Sequence, residues 1–100
     1  MRFRFSRQAE IDIEEIGDFI ARDNPTRTVS YVRELRTRCR ELTSFPAAAP
    51  VRPAYGKGVR VAVFGRYLIL YVVHHDLLET RRVVHGARDL TEDDFRPGKG

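Results

Sequence analysis

The residues best suited to chemistry are arginines and a histidine grouped in the second half of the chain. Guanidinium groups bind phosphates, and a histidine among them can act as an acid or a base in RNA cleavage. The same groups pair with carboxylates of another protein, or form the solvent side of a half-buried sheet. The group consists of Arg60, Arg66, Arg81, Arg82, His85 and Arg88. This pattern leaves RNA cleavage, protein docking and a solvated surface as three alternatives.

The other reactive residue types predict no further site. A metal ion needs three or four converging ligands, and the adjacent His74 and His75 point to opposite faces of a strand. Cys39 falls in phase with the apolar stripe of its helix, which predicts a buried and inert thiol. The run Gly56-Lys57-Gly58 lacks the flanking strand and helix of a phosphate-binding loop. We therefore expect neither a cofactor nor a metal.

The composition is typical of one small globular domain. The chain has 100 residues, of which 42% are hydrophobic and 32% charged. We place the domain at residues 1–95 and a frayed tail at residues 96–100. The longest apolar run, residues 67–73, is far shorter than a membrane-spanning helix. Because a lone cysteine excludes an internal disulfide framework, we expect a cytoplasmic protein without a membrane segment.

Positive charge dominates the chain except in one segment. Lysine and arginine together number 18 against 14 acidic residues, which gives a net charge of +4. Residues 6–24 reverse this balance, with six acids against two arginines. A basic protein is predisposed to acidic partners, such as nucleic acid, an acidic protein segment or an anionic surface.

The N-terminal part of the chain predicts a strand and two helices. Residues 1–5 alternate apolar and arginine side chains, as in a half-buried strand. Apolar residues at spacings of three and four predict an amphipathic helix over residues 7–22, with Asp12 among the acids of its polar face. Asn24 and Pro25 are suited to begin a second helix, which runs to about residue 42. So short a hinge makes the two helices an antiparallel hairpin.

The C-terminal part predicts a loop followed by three strands. Three prolines and two glycines between residues 45 and 58 exclude a regular element. Strand-like runs follow at residues 59–64, 67–74 and 78–85, and residues 91–95 have the pattern of a last helical turn. The order β-α-α-β-β-β predicts an α+β fold, in which an antiparallel sheet packs on one helical hairpin.

The middle strand of this sheet is apolar on both faces. Leu68, Leu70 and Val72 point away from the residues that alternate with them. The helical hairpin covers only one face of the sheet. We therefore expect the second face to be covered by the C-terminal turn or by a partner chain.

Short motifs in both halves of the chain point to a known family. They are Ser6-x-x-Ala9-x-x-Asp12-Ile13-x-x-Ile16-x-x-Phe19-Ile20, Asp23-Asn24-Pro25, Phe64-Gly65-Arg66-Tyr67-Leu68-Ile69-Leu70-Tyr71 and Arg82-Val83-Val84-His85-Gly86-Ala87-Arg88-Asp89. In this order, over about residues 3–90, the chain resembles the ParE branch of the RelE/ParE toxin superfamily. The resemblance implies the β-α-α-β-β-β fold and the toxin half of a type II toxin–antitoxin module. It also implies a small antitoxin whose C-terminal segment wraps the toxin.

The superfamily contains two activities, and one position separates them here. RelE-like toxins cleave messenger RNA on the ribosome, using an arginine just after the aromatic residue of the middle strand. Leu68 stands at that position in this chain. Loss of a charge that stabilises a developing phosphorane costs a ribonuclease much of its rate. ParE-like toxins instead inhibit DNA gyrase without catalysis, and residues 84–89 look like theirs. The resemblance therefore implies gyrase inhibition.

From these observations we predict no catalytic residue. We expect the acidic C-terminal segment of a cognate antitoxin to bind Leu68, Leu70, Val72, Arg60 and Arg81. We expect His85 and Arg88 to contact DNA gyrase, and we expect neither a membrane nor direct sequence-specific DNA binding. Two alternatives stay open. One is a ribosome-dependent mRNA endonuclease in which His85 and Arg88 act with Arg60 or Arg66, and the other is a degenerate member that only binds its antitoxin.

Overall fold

A computed structural model describes residues 1–86, so Arg88, the predicted turn at residues 91–95 and the tail at residues 96–100 lie outside the described residues. The regular elements are β1 (Arg2–Phe5), α1 (Arg7–Asp23), α2 (Pro25–Glu41), β2 (Arg60–Phe64), β3 (Tyr67–His74) and β4 (Leu77–His85). Short 3-10 turns at Leu42–Ser44 and Pro53–Tyr55 lie in the long loop before β2. The predicted element order and α+β class are confirmed, and each predicted boundary lies within one residue of the observed one. No helix among residues 1–86 has the length and apolar character to cross a membrane.

One residue, Asn24, both ends α1 and begins α2. Its backbone N–H donates to the carbonyl of Ile20 at 2.8 Å, and its side-chain oxygen accepts from the backbone N–H of Arg27 at 3.0 Å. Pro25 follows in the first helical position, where a missing N–H costs nothing. Two adjacent helices therefore meet at a hinge of one residue.

The two helices of the hairpin approach closely at Gly17. A Cβ atom built on Gly17 would lie 3.3 Å from the Cγ2 atom of Val32. The hydroxyl of Thr28 donates to the Gly17 carbonyl at 2.7 Å. Because glycine has no side chain, α2 can pack directly against the backbone of α1 at this point.

The sheet has the strand order β1-β4-β3-β2. Strands β2, β3 and β4 form the predicted antiparallel meander. Strand β1 pairs parallel with β4, from Arg2 opposite Leu77 to Phe5 opposite Thr80. The sheet is therefore mixed and not antiparallel throughout. The chain reverses direction twice between β2 and β4, so these two strands run in the same direction. The long loop before β2 lets β2 begin at the same end of the sheet as β1. Strands β1 and β4 are therefore parallel.

The main core lies between the helical hairpin and one face of the sheet. Its most buried side chains, each at most 1% exposed, include Ile13, Leu35, Cys39, Ile69 and Tyr71. Full burial of a large apolar side chain stabilises a fold by about 1.5–3 kcal/mol. The predicted burial of Cys39 is confirmed, and desolvation raises the pKa of its thiol to about 11.

Candidate functional site

The second apolar face of the sheet is partly covered by the long loop. Leu70 is completely buried on this face, together with Val59 and Val84. Tyr55, from the 3-10 turn in the loop, packs against them, while Leu68 and Val72 are half-buried. The loop therefore covers part of the face that we expected the C-terminal turn or a partner to cover, and that turn lies outside the described residues. Leu70, one of the residues predicted to bind the antitoxin, has no exposed surface.

Arg60 holds the loop and does not join an arginine cluster. It lies opposite Tyr71 in the sheet. Its guanidinium donates to the carbonyls of Ala49 at 2.7 Å and Ala47 at 3.3 Å. The hydroxyl of Tyr71 donates to the carbonyl of Pro46 at 2.8 Å, in the same loop. Side chains of β2 and β3 thus fix residues 46–49 against the sheet.

Arg81 is engaged by an acid of its own strand. Its guanidinium lies 2.9 Å from Glu79, whose other oxygen accepts from Arg4 of β1 at 2.6 Å. The register between β3 and β4 shifts beside Arg81, since Leu70 pairs with Arg82 and Tyr71 with Thr80. Arg81 is therefore the extra residue of a bulge, and it shares with Arg4 a carboxylate that is only 12% exposed.

Arg82 forms the most buried ion pair of residues 1–86. Two of its nitrogens donate to the carboxylate of Asp12, at 2.8 and 3.1 Å. The backbone N–H of Val83 donates to the same carboxylate at 2.9 Å. The exposed fraction is 12% for the Arg82 side chain and 5% for that of Asp12. Asp12 therefore does not belong to the solvated polar face of α1, where the helical pattern placed it.

His85 stands at the end of β4, beside the turn between β2 and β3. Its ring meets that of Tyr67 edge to face, with the centroids 5.6 Å apart. The backbone N–H of Gly86 donates to the carbonyl of Arg66 at 2.8 Å. This bond joins the end of β4 to the turn between β2 and β3. A cleft of about 210 Å³ opens here between the strands and α1, with Glu15 and Phe19 on the helix side. Burial raises the pKa of Tyr67, so its hydroxyl stays protonated at neutral pH.

The predicted ribonuclease residues do not gather at one point. His85 pairs with Tyr67, and Tyr67 pairs with Phe64 at one end of β2. Arg60 lies at the other end of β2, about 13 Å away along the strand. Arg66 shares the end of the sheet with His85, and Arg88 lies outside the described residues. Within residues 1–86, no three histidine, cysteine or acidic side chains are grouped so as to hold a metal ion.

A groove along the free edge of β2 was not predicted from the sequence. Two clefts of about 390 and 330 Å³ adjoin there, with Arg38 and Glu41 of α2 lining both. Phe45 lines the larger cleft and is 75% exposed, and Phe64 lines the smaller one. We call this surface the edge groove. Its formation depends on β2 being an edge strand, a property of topology that periodicity does not reveal.

Known proteins share both the sequence pattern and the fold. The family model of the ParE toxin of type II toxin–antitoxin systems (parDE) matches residues 3–90. No curated protein sequence matches.

Solved structures resemble the chain at low sequence identity. A chain of the chromosomal ParDE system of P. aeruginosa superposes with a TM-score of 0.75 at 18% identity, over 85% of this chain and 95% of that one. A YafQ mutant from E. coli and the E. coli DinJ–YafQ complex each give a TM-score of 0.53 at 18% identity, over 87% of this chain and 96% of theirs. At this identity the likeness concerns the fold alone. With the family match over most of its length, the chain belongs to the ParE toxin family of type II toxin–antitoxin systems.

Proposed function

We propose that this toxin inhibits DNA gyrase without catalysing a reaction, and that the acidic C-terminal segment of a cognate antitoxin neutralises it. The observation that carries the proposal is the engagement of the strand arginines. Arg60 donates to loop carbonyls, Arg81 pairs with Glu79, and Arg82 pairs with the buried Asp12. A nuclease needs cations aimed at the phosphate that reacts, and these three are already committed to the fold.

The middle strand supports the same conclusion. Leu68 occupies the position at which the RelE-like branch carries an arginine, and its side chain packs against the second apolar face of the sheet. A polar catalytic surface would place charge there instead. The family membership supports a gyrase target, because ParE-like toxins act in this way.

Charge supports an acidic antitoxin as the neutralising partner. The chain carries a net charge of +4. On α2, Arg33 is exposed and Arg38 is half-buried, and neither forms an ion pair with any of residues 1–86. Arginines of this kind steer an acidic segment to the surface and pair with its carboxylates.

A supercoiling assay tests the gyrase proposal. Purified toxin is added to gyrase, ATP and relaxed plasmid, and we expect supercoiling to stop and cleaved DNA–gyrase complexes to accumulate. Addition of the antitoxin encoded beside the toxin gene should restore supercoiling. His85→Ala should weaken inhibition if that end of the sheet contacts gyrase, whereas Val29→Ala, an exposed change on α2, serves as the control. Unchanged supercoiling with folded wild-type toxin would refute the proposal.

One observation favours ribosome-dependent mRNA cleavage as the second candidate. The exposed His85 and the turn that carries Arg66 meet at the same end of the sheet, next to an open cleft. A translation extract with a reporter message separates the two functions. Cleavage that depends on translating ribosomes and disappears with His85→Ala would favour the nuclease, while an intact message together with gyrase inhibition would exclude it.

A further inference from the structure

Strand β2 forms the outer edge of the sheet, and another segment of the chain forms backbone hydrogen bonds with only the first part of this edge. The backbone N–H of Val61 donates to the carbonyl of Pro50 at 3.2 Å, and the backbone N–H of Arg52 donates to the carbonyl of Val59 at 2.7 Å. Residues 50–52 therefore act as a short cap on the first part of this edge. The cap ends at Val61, while β2 continues to Phe64.

Val63 presents the next free backbone groups of this edge. Outward-pointing N–H and C=O groups recur at every second residue of an antiparallel edge strand, so Val63 follows Val59 and Val61. Within residues 1–86, no backbone hydrogen bond to Val63 closes this edge. Its side chain is 62% exposed. Proteins usually protect such an edge, because it is a template for pairing with another chain.

The edge groove lies directly beside these free groups. Its walls are α2 and the loop, and its apolar lining includes Leu42, Phe45 and Phe64. Side chains of a strand point alternately to its two faces. A strand added at Val63 would therefore place every second side chain in the edge groove, where apolar side chains fit.

The charges around the edge groove favour an acidic occupant. Arg33 and Arg38 line it, and none of residues 1–86 pairs with them. Glu34 is already paired with Arg27, which leaves Glu41 as the one unmatched acid of the described lining. Carboxylates on the incoming strand would thus meet an excess of guanidinium groups.

From this geometry we propose that β2 accepts an extended, acidic and apolar segment of the antitoxin as a fifth strand. Its backbone bonds to the N–H and C=O of Val63, its apolar side chains enter the edge groove, and its carboxylates pair with Arg33 and Arg38. The identity of this partner rests on the proposed function. The docking surface therefore lies at the edge of the sheet and not on the face where Leu70 is buried.

Two synthetic peptides of about six residues, the usual length of a strand, test the site directly. One alternates glutamate and valine, and the other alternates lysine and valine. With isotopically labelled toxin, the glutamate peptide should shift the Val63 amide resonance and slow its hydrogen exchange about tenfold or more. The lysine peptide should bind at least about tenfold more weakly, because it meets Arg33 and Arg38. Equal binding of both peptides, or no effect at Val63, would overturn the proposal.

Matched variants separate backbone pairing from charge. Val63→Pro removes an N–H that faces away from β3, so the edge strand should still fold. It should bind the glutamate peptide about tenfold more weakly, whereas Val63→Thr keeps the N–H and should bind normally. The double change Arg33→Gln and Arg38→Gln should also weaken binding. Arg40→Gln, an exposed change on the same helix outside the groove, should not.

The remaining outcomes distinguish this proposal from the proposed function. Normal antitoxin binding by folded Val63→Pro would overturn the fifth strand and leave the toxin–antitoxin pairing intact. Peptide binding at Val63 by a toxin that does not inhibit gyrase would support the edge site and refute the gyrase proposal. Protection of Val63 that rises with the concentration of toxin alone would assign the edge to a second copy of this chain, against the proposal.

Discussion

Asp12 joins α1 to the part of β4 that extends beyond β1. Strand β1 pairs with β4 only as far as Thr80, so the following N–H groups of that edge need other partners. The Asp12 carboxylate accepts from the N–H of Val83 and from the guanidinium of Arg82. The sequence placed Asp12 on the polar face of α1 because helical phase separates apolar from polar residues. It does not show which polar residue meets a strand edge.

Removal of one partner of the Asp12–Arg82 ion pair should strongly lower the free energy of unfolding. Asp12→Ala leaves the guanidinium of Arg82, whose side chain is 12% exposed, without its carboxylate, and should lower the free energy of unfolding by about 3–5 kcal/mol. The double variant Asp12→Ala with Arg82→Met should recover part of this loss, since no buried charge remains. Urea denaturation measures both, with Asp18→Ala as the exposed control. A loss for Asp12→Ala no larger than that of the control would mean that the pair contributes little.

Cys39 should make the protein less stable in alkali. Burial raises the pKa of its thiol from 9.0 to about 11. As the pH rises, the thiol therefore loses its proton in the unfolded chain before it does so in the folded protein. The free energy of unfolding should be unaffected below pH 9 and should fall as the pH rises to about 11, by up to roughly 3 kcal/mol. Cys39→Ala should show a shallower decline when the free energy of unfolding is measured across this range. The buried tyrosine Tyr71 has a raised pKa as well, so the decline should become smaller without disappearing.

At the scale of elements, the strands and helices followed from periodicity, whereas the role of the long loop did not. Prolines and glycines in residues 45–58 predicted an irregular segment, which is correct. The loop nevertheless places Tyr55 against the second apolar face of the sheet and Phe45 in the edge groove. No periodic pattern marks such residues, because their neighbours are distant in sequence. The parallel pairing of β1 with β4 escaped prediction for the same reason.

The loop should loosen when its bonds to the sheet are removed. Tyr71→Phe deletes the hydrogen bond to the Pro46 carbonyl and should cost about 1 kcal/mol. Because Arg60 still donates to Ala49, the loop should stay in place but open more often. Hydrogen exchange should therefore become faster for residues 45–58, and unchanged for α1. Arg66→Met, on the exposed turn, is the control, and equal exchange in both variants would show that the bond to Pro46 does not hold the loop.

At the scale of the whole molecule, the charges are separated between two sides. The acids of α1 that face solvent include Glu14, Glu15 and Asp18, and no described residue pairs with them. On α2, Arg33 and Arg38 line the edge groove, and none of residues 1–86 pairs with them. An acidic partner is thus attracted to one side of the toxin and repelled by another. This asymmetry orients the encounter before any apolar contact forms.

Antitoxin binding should accordingly depend on salt mainly through the association rate. An increase in sodium chloride from about 0.05 to 0.5 M shortens the reach of these charges and should slow association about tenfold or more. Dissociation should change less, because the apolar contacts that we propose in the edge groove resist salt. Surface plasmon resonance measures both rates. Arg38→Gln should reduce the salt dependence, Glu15→Gln should raise the association rate at low salt, and Val29→Ala should match the wild type. An association rate independent of salt in the wild type would mean that apolar contact alone guides the antitoxin to this surface.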